Sequence, residues 1–241
     1  AWASVDHALR ATPAAGLILV GAGRFPVSKT TITHDLALTG AGSAATILEC
    51  GVLNATETAF FELLNADVGP VVVFEDVGVR NCAPAFRTPS QIDTSSGCIP
   101  SQLHLSRVHI HGASTVDLGA NEYTMWARCI ALSESYITDS LFETLSGEVN
   151  GARGSIALDG VAVFNRTTIR DVARPENVIH SHGRATFDDC VISNNTASGS
   201  IIDAVMRTRF YDTTLLLVGG SIQRNRGAFT IQIRVDPAHD D

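Results

Sequence analysis

The sequence is poor in aromatic residues (6%) and in charged ones (17%). It also has no basic run and no basic residues interleaved with aromatics. Nucleic acid is therefore not an expected partner, because neutralised phosphates supply most of that affinity. No apolar stretch approaches the ~20 residues that a membrane helix needs, so no membrane insertion is expected. The most apolar runs, Gly16–Val20 and Leu215–Val218, are strand-sized. No signal peptide opens the chain at Ala1, which reads as a mature form or an excerpt. The five cysteines (Cys50, Cys82, Cys98, Cys129 and Cys190) are an odd number, which excludes complete internal pairing.

What is present is aliphatic. Hydrophobic residues make up 45% of 241 positions, with a net charge of −8. Valine, isoleucine, leucine, threonine and alanine dominate, a balance that suits long β-structure with aliphatic stacks better than a helical bundle. The length fits one large domain that buries roughly 70–75% of its unfolded surface without a staple.

An internal repeat sets the fold. Six segments align without gaps, beginning at Phe74, Leu105, Leu132, Leu158, Phe187 and Leu217. Each starts with a large apolar residue. Three positions on stand Val77, Val108, Ser135, Val161, Cys190 and Gly220. Five positions on there is always Val or Ile: Val79, Ile110, Ile137, Val163, Ile192 and Ile222. Successive starts lie 31, 27, 26, 29 and 30 residues apart. That spacing fits one coil of a parallel β-helix with three short strands and three turns. Each coil leaves backbone groups unpaired until the next stacks about 4.8 Å above it, and stacking buries a continuous aliphatic column. The six residues five positions on are expected to form one buried stack, and Cys190 is expected to be a buried free thiol. The expected fold is all-β: a right-handed parallel β-helix of about seven or eight coils. It is read as a single domain, with an N-terminal cap helix in 1–12, coils over 16–235 and an acidic tail at 236–241. The cap is predicted over Trp2–Arg10, with Trp2, Val5, Ala8 and Leu9 on one side.

Seven positions into the repeat, Asn81, Asp139, Asn165 and Asn194 read as a turn ladder. Asn tolerates the left-handed conformation, and its amide can bond the amide one coil away. Three sequons make Asn54, Asn165 and Asn194 candidate glycosylation sites, with ladder membership competing at the last two. Cys82 and Cys98 bracket a polar, proline-containing stretch and form the candidate disulfide. The last alternating segment, Ala228–Val235, has no evident cap after it, so Phe229, Ile231 and Ile233 are candidate end contacts, expected to meet either a partner subunit or further downstream sequence.

The opening run comprises Gly16–Val20, Gly21-Ala-Gly-Arg-Phe25, Thr31–Thr33 and Leu36-Ala-Leu-Thr-Gly-Ala-Gly42. It resembles the start of pectin-lyase-like β-helix proteins. Phe187-Asp-Asp-Cys-Val-Ile-Ser-Asn-Asn-Thr196 is similar to coils of polymorphic outer-membrane-protein-like adhesins and related algal or bacterial surface proteins. The resemblance covers nearly the whole chain and implies a secreted or cell-surface protein, but it points to no single activity.

No convergent catalytic set accompanies it. Gly23-Arg-Phe-Pro-Val-Ser28 resembles a pectin-esterase opening, but Ser28 stands where that family has Glu. The polygalacturonase-like elements Ser181-His-Gly183, Asp188-Asp189 and Ile233-Arg234 occur in the wrong order. Arg80, Arg107, Arg166 and Arg224 could make a basic strip for a lyase, without the acidic trio that calcium would need. His109 and His111 face out on either side of inward Ile110, and His180 with His182 repeats that geometry. The pairs sit about three coils apart, roughly 14 Å, too far to share an ion, and read as ordinary exposed histidines. Threonines do not recur coil after coil as ice binding would require. No catalytic residue, metal or cofactor is assigned. The expectation is a non-enzymatic extracellular structural, adhesive or assembly module, presenting a wall to glycans or protein subunits. The alternative is a polysaccharide lyase or glycoside hydrolase acting on an acidic glycan.

Overall fold

The computed structural model describes residues 4–51, 60–63, 69–82, 85–87, 101–112, 116–118, 134–145, 154–158, 160–174, 176–181, 183–207 and 214–236. The fold is a right-handed parallel β-helix. Its walls are three parallel sheets of eight strands each, with every coil contributing one strand to each wall. The first coil runs through Gly16–Leu19, Gly23–Val27 and Thr30–Ile32, and the last through Thr214–Val218, Ser221–Gln223 and Phe229–Asp236.

Alternation builds the first and second walls, while third-wall strands such as Asn177–Ser181 are buried on both faces. Strands such as Gln102–Ser106 and Glu134–Thr138 bury every second side chain, and a stacked coil above and below satisfies their backbone groups. On the first wall the inward column reads Ile18, Leu38, Phe74, Leu105, Ile137, Phe164, Phe187 and Leu217. On the second it reads Phe25, Leu48, Val79, Ile110, Phe142, Ile169, Ile192 and Ile222. On the third, Ile156, Ile179, Ile202 and Ile231 stand in register. Seven of the ten phenylalanines lie buried in this interior. Phe61, Phe74 and Phe86 pack mutually at 5.0–5.3 Å, and Phe164 stacks on Phe187 at 4.8 Å.

This register corrects two of the six repeat frames. Ile137 belongs to the first wall and Val163 points outward, half buried, so neither stands in the second-wall stack. Phe142 and Ile169 occupy those places. Leu158 lies on the third wall, and Leu132 falls outside the described residues. The physical reason is that period-two alternation recurs on every wall. A frame displaced by five or six residues still finds aliphatic residues at its apolar positions.

At the N-terminus, helix α1 (Val5–Ala11) lies against the first coil and buries Val5, Ala8 and Leu9. Ser4 starts it as N-cap, its hydroxyl accepting from His7 N at 3.1 Å. The helix therefore begins later than the predicted Trp2, which lies outside the described residues. Asp6 fastens it to the coil by accepting from Ser28 N at 3.0 Å.

The turns carry more chemistry than the repeat suggested. Between first and second walls, Asp76, Arg107, Asp139, Arg166 and Asp189 occupy successive coils, all left-handed at φ 47–55°. Each backbone N–H donates to the next coil, as from Asp76 N to Ser106 O at 3.1 Å and from Arg107 N to Thr138 O at 3.0 Å. Arginine is an unfavourable residue in this conformation. Its guanidinium compensates: Arg107 grips Asp76 with two bonds of 2.8 Å, and Arg166 grips Asp139 at 2.7 and 2.8 Å. The result is an acid–base ladder along one edge of the solenoid.

Between second and third walls, Asn81, Gly112, Thr144, Asp171, Asn194 and Arg224 are the left-handed residues. Gly112 takes φ 79°, which favours glycine, and a Cβ there would displace the Asn81 side chain, whose Oδ1 would lie 2.5 Å away. Asn81, Asp139, Asn165 and Asn194 therefore do not form one ladder. Asp139 stands at the first turn and Asn81 and Asn194 at the second. Asn165 ends a first-wall strand and donates to Asp188 Oδ2 at 2.9 Å. The internal asparagine ladder lies one position on from Asn194. Buried Asn195 donates to Ile169 O and Asn225 Oδ1 at 3.1 and 3.0 Å, and its Oδ1 accepts from Val172 N.

Cys82 is bonded to Cys50, with Cα atoms 5.1 Å apart, which corrects the Cys82–Cys98 pairing. The two cysteines close the second walls of adjacent coils, so stacking itself brings them within disulfide range. Cys98 lies outside the described residues. Cys190 is free and buried, and burial holds its thiol above the usual range.

The acid–base ladder gives a directional prediction. Hydrogen bonds from Arg107 and Arg166 lower the carboxyls of Asp76 and Asp139 below their ordinary range. Their folded pKa lies under the unfolded one, so their contribution is full above about pH 4 and fades as acid protonates them. Melting temperature measured against pH should fall less steeply below about pH 4 in Asp139→Asn than in the wild type.

Candidate functional site

The outer faces of the three walls differ, and the second carries most of the ionisable chemistry. Its alternation turns Glu49, Arg80, His111, Glu143 and Arg170 outward on successive coils. His109 stands beside them two residues before His111, with ring centroids 4.7 Å apart. Arg24 reaches Glu49 at 3.8 Å. Arg170 holds Glu143 Oε2 from Nε and an Nη at 3.0 and 2.7 Å. His109 Nε2 lies 2.8 Å from Glu143 Oε1, near enough for an ion pair but off-line for a hydrogen bond. Burial raises the Glu143 carboxyl, but the Arg170 hydrogen bonds and the charges of His109 and Arg170 outweigh it and leave it below the usual range. His111 is held below the ordinary histidine value, first by burial and then by the nearby charges of His109 and Arg80.

The first wall presents a different set. Val73, His104, Tyr136 and Val163 are outward neighbours across four coils. His104 and Tyr136 stack on each other at 4.9 Å, so those facing ring surfaces are used internally and are closed to a sugar. Glu134 Oε2 accepts from Tyr136 Oη and Gln102 Nε2 at 3.0 and 3.1 Å.

On the third wall His180 Nδ1 meets Asp203 Oδ2 at 2.9 Å, with exposures of only 4% and 1%. Asn177 Nδ2 donates to the same oxygen at 3.3 Å. His180 is thus buried and paired, which corrects its reading as an exposed histidine. His182 lies outside the described residues. The pair resembles half of a nucleophile–base arrangement, but adjacent Ser181 projects to the opposite, interior face.

The arginines singled out from sequence do not converge. Arg80 lies on the second wall, Arg107 and Arg166 at the first turn, and Arg224 at the second. Asp188 ends a first-wall strand beside Asn165, and Asp189 occupies the following turn, so the two carboxylates do not face each other across a cleft. The sequon at Asn165 has its threonine, Thr167, fully buried, whereas Asn194 and Thr196 are exposed. Asn54 lies outside the described residues. The sequence reading passed over the cluster around Glu143, because its members come from five coils. The outward arginine or glutamate directly after Leu48, Val79, Phe142 and Ile169 was the available signal.

Among the described residues no group of three or more His, Cys, Asp or Glu side chains is arranged to hold a metal. Among them, too, no helix is long and apolar enough to cross a membrane.

The last coil is the other distinctive surface. Leu217, Phe229, Ile231 and Ile233 share the inward face of its strands yet are 39%, 53%, 37% and 62% exposed. The three strands of that coil each end a sheet.

No protein-family model matches the chain, and neither does any curated protein. Three solved structures are similar in shape. The Geobacillus virus E2 protein ORF18 is 13% identical over 95% of this chain and 57% of its own, with a TM-score of 0.44. A pectin methylesterase mutant bound to a hexasaccharide is 14% identical over 84% and 66%, with a TM-score of 0.36. A rice weevil pectin methylesterase is 13% identical over 95% and 84%, also at 0.36. The chain thus spans less than two thirds of the first two, and likeness at this level assigns no activity to it.

Proposed function

We propose that this chain is a non-catalytic, extracellular assembly module that joins a second copy of itself through its last coil. The observation that carries this reading is that, among the described residues, core-facing Leu217, Phe229, Ile231 and Ile233 stand exposed at the end of all three sheets. An uncovered coil presents apolar side chains and unpaired strand edges together, a combination that favours strand pairing with another chain.

Charge and geometry favour a second copy. The segments Thr214–Gln223 and Phe229–Ile233 contain no ionisable side chain, so two chains of net charge −8 can meet there without local repulsion. The opposite end carries helix α1, which obstructs head-to-tail stacking. The contact is therefore isologous, last coil to last coil, with strands antiparallel across it. The Cys50–Cys82 bond suits an oxidising compartment. On the side walls, the best-placed acids and bases are largely engaged with one another along the solenoid axis, as expected of a scaffold.

Sedimentation velocity across a concentration series tests the proposal. A dimer is expected for the wild type, and a monomer with an intact far-ultraviolet spectrum for Phe229→Asp/Ile233→Asp. A wild type that stays monomeric, or a dimer that survives both charges, overturns it.

A further inference from the structure

Among the described residues, Arg80 is a guanidinium on the second wall with no carboxylate to hold. Its column neighbours on either side are Glu49 and His111. Glu49 is engaged by Arg24, and the next acid along, Glu143, by Arg170 and His109. The strands of the strip thus carry three guanidinia (Arg24, Arg80 and Arg170) against two carboxylates, and the adjoining Asp171 lies 3.7 Å from Arg170 rather than from Arg80. Arg80 is half buried and ends its strand two residues before Cys82, whose bond to Cys50 fixes that edge of the wall. A guanidinium offers five N–H donors in a planar fork that matches a carboxylate or a sulfate.

We propose that Arg80, with His111 beside it, is a seat for a single oxyanion, a carboxylate or sulfate group presented to the second wall from solvent. Arg80 supplies the fork. His111 supplies a proton-linked charge: burial first, and then the charges of His109 and Arg80, discourage its protonation, and an anion alongside favours it. The groups that face this position are His109, Glu143 and Arg170 on one side and Glu49 and Arg24 on the other. The acids among them already hold cations, so the added negative charge falls to Arg80, with His111 its neighbour in register.

This inference is independent of the last coil. It also predicts a sign. Occupancy favours His111 protonation, so affinity rises as pH falls through the histidine range. Sulfate does not titrate there, and a carboxylate stays ionised above about pH 4, so the dependence belongs to the protein.

The test is titration of the full chain, at matched ionic strength, with sodium sulfate, glucuronate and a glucuronate-containing oligosaccharide. His111 is followed by NMR, and affinity is measured at several pH values. Wild type is expected to bind saturably and more tightly at lower pH, with the His111 titration displaced upward. Arg80→Ala should bind at least about tenfold more weakly, and Arg80→Lys between the two. Tighter binding of the oligosaccharide than of both small anions assigns the seat to an acidic glycan. Equal binding of all three assigns it to the bare anion. No saturable binding, binding unchanged in Arg80→Ala, or no response of His111 overturns the proposal.

Discussion

Replacing Phe164 with alanine is expected to destabilise the protein by about 3–5 kcal/mol, whereas Val163→Ala, one residue away, should cost less than about 1 kcal/mol. Phe164 is fully buried, stacks on Phe187 at 4.8 Å and meets Phe142 edge-on at 6.1 Å. Its inward neighbours are small: Ser135, Ala162 and Ala185 stand in the adjoining first-wall column. Phenyl rings therefore fill the middle of the solenoid where the walls themselves contribute little volume. Truncating one leaves a cavity that two flanking coils, held in register by backbone ladders, cannot collapse to fill. Val163 points the other way, and its methyls only partly cover the outer face. Urea denaturation of both variants measures the contrast. Equal losses would remove the inward–outward distinction at this coil, and a larger loss in Val163→Ala would reverse it.

That pair of residues also marks how far the sequence could be read. The solenoid was legible because every coil must offer an aliphatic residue to the same column, and four of the six frames lock onto it correctly. In the fifth coil the second-wall place belongs to Phe142, an aromatic where every other frame had valine or isoleucine. A frame built on Ile137 fitted better by composition, although Ile137 serves the first wall. Position along an alternating strand identifies a face, but it cannot identify which of three walls the face belongs to.

The outward chemistry was less legible for a related reason. Asp76, Arg107, Asp139, Arg166 and Asp189 alternate in sign only when read across coils, at separations of 31, 32, 27 and 23 residues. These separations vary because the connections differ in length. Asparagine or aspartate was the expected turn residue, and at the first turn arginine alternates with aspartate. Arginine has no intrinsic preference for that conformation and gains its stability there from the coil below. The same holds for Arg80 and His111, which become neighbours only once the register is fixed.

Removing the Cys50–Cys82 bond through Cys50→Ala/Cys82→Ala is expected to cost about 3–4 kcal/mol. The bridge closes a loop with a sequence separation of 32, for which chain entropy alone assigns about that value. The bond acts at a particular place in the solenoid. Cys50 ends the second-wall strand of one coil and Cys82 follows the second-wall strand of the next, so it staples two stacked coils at their shared turn. Both residues are buried in the native state, and alanine at both positions keeps that edge apolar. The loss should therefore come mainly from the denatured chain, which gains freedom and exposes more surface without the crosslink. Two readouts separate this from simple damage to the core: the urea midpoint should fall while the m-value rises. A midpoint loss at constant m would place the effect in native packing instead. A loss below about 1 kcal/mol would mean that the two coils remain associated in the denatured state, so that the bond constrains little that is not already constrained.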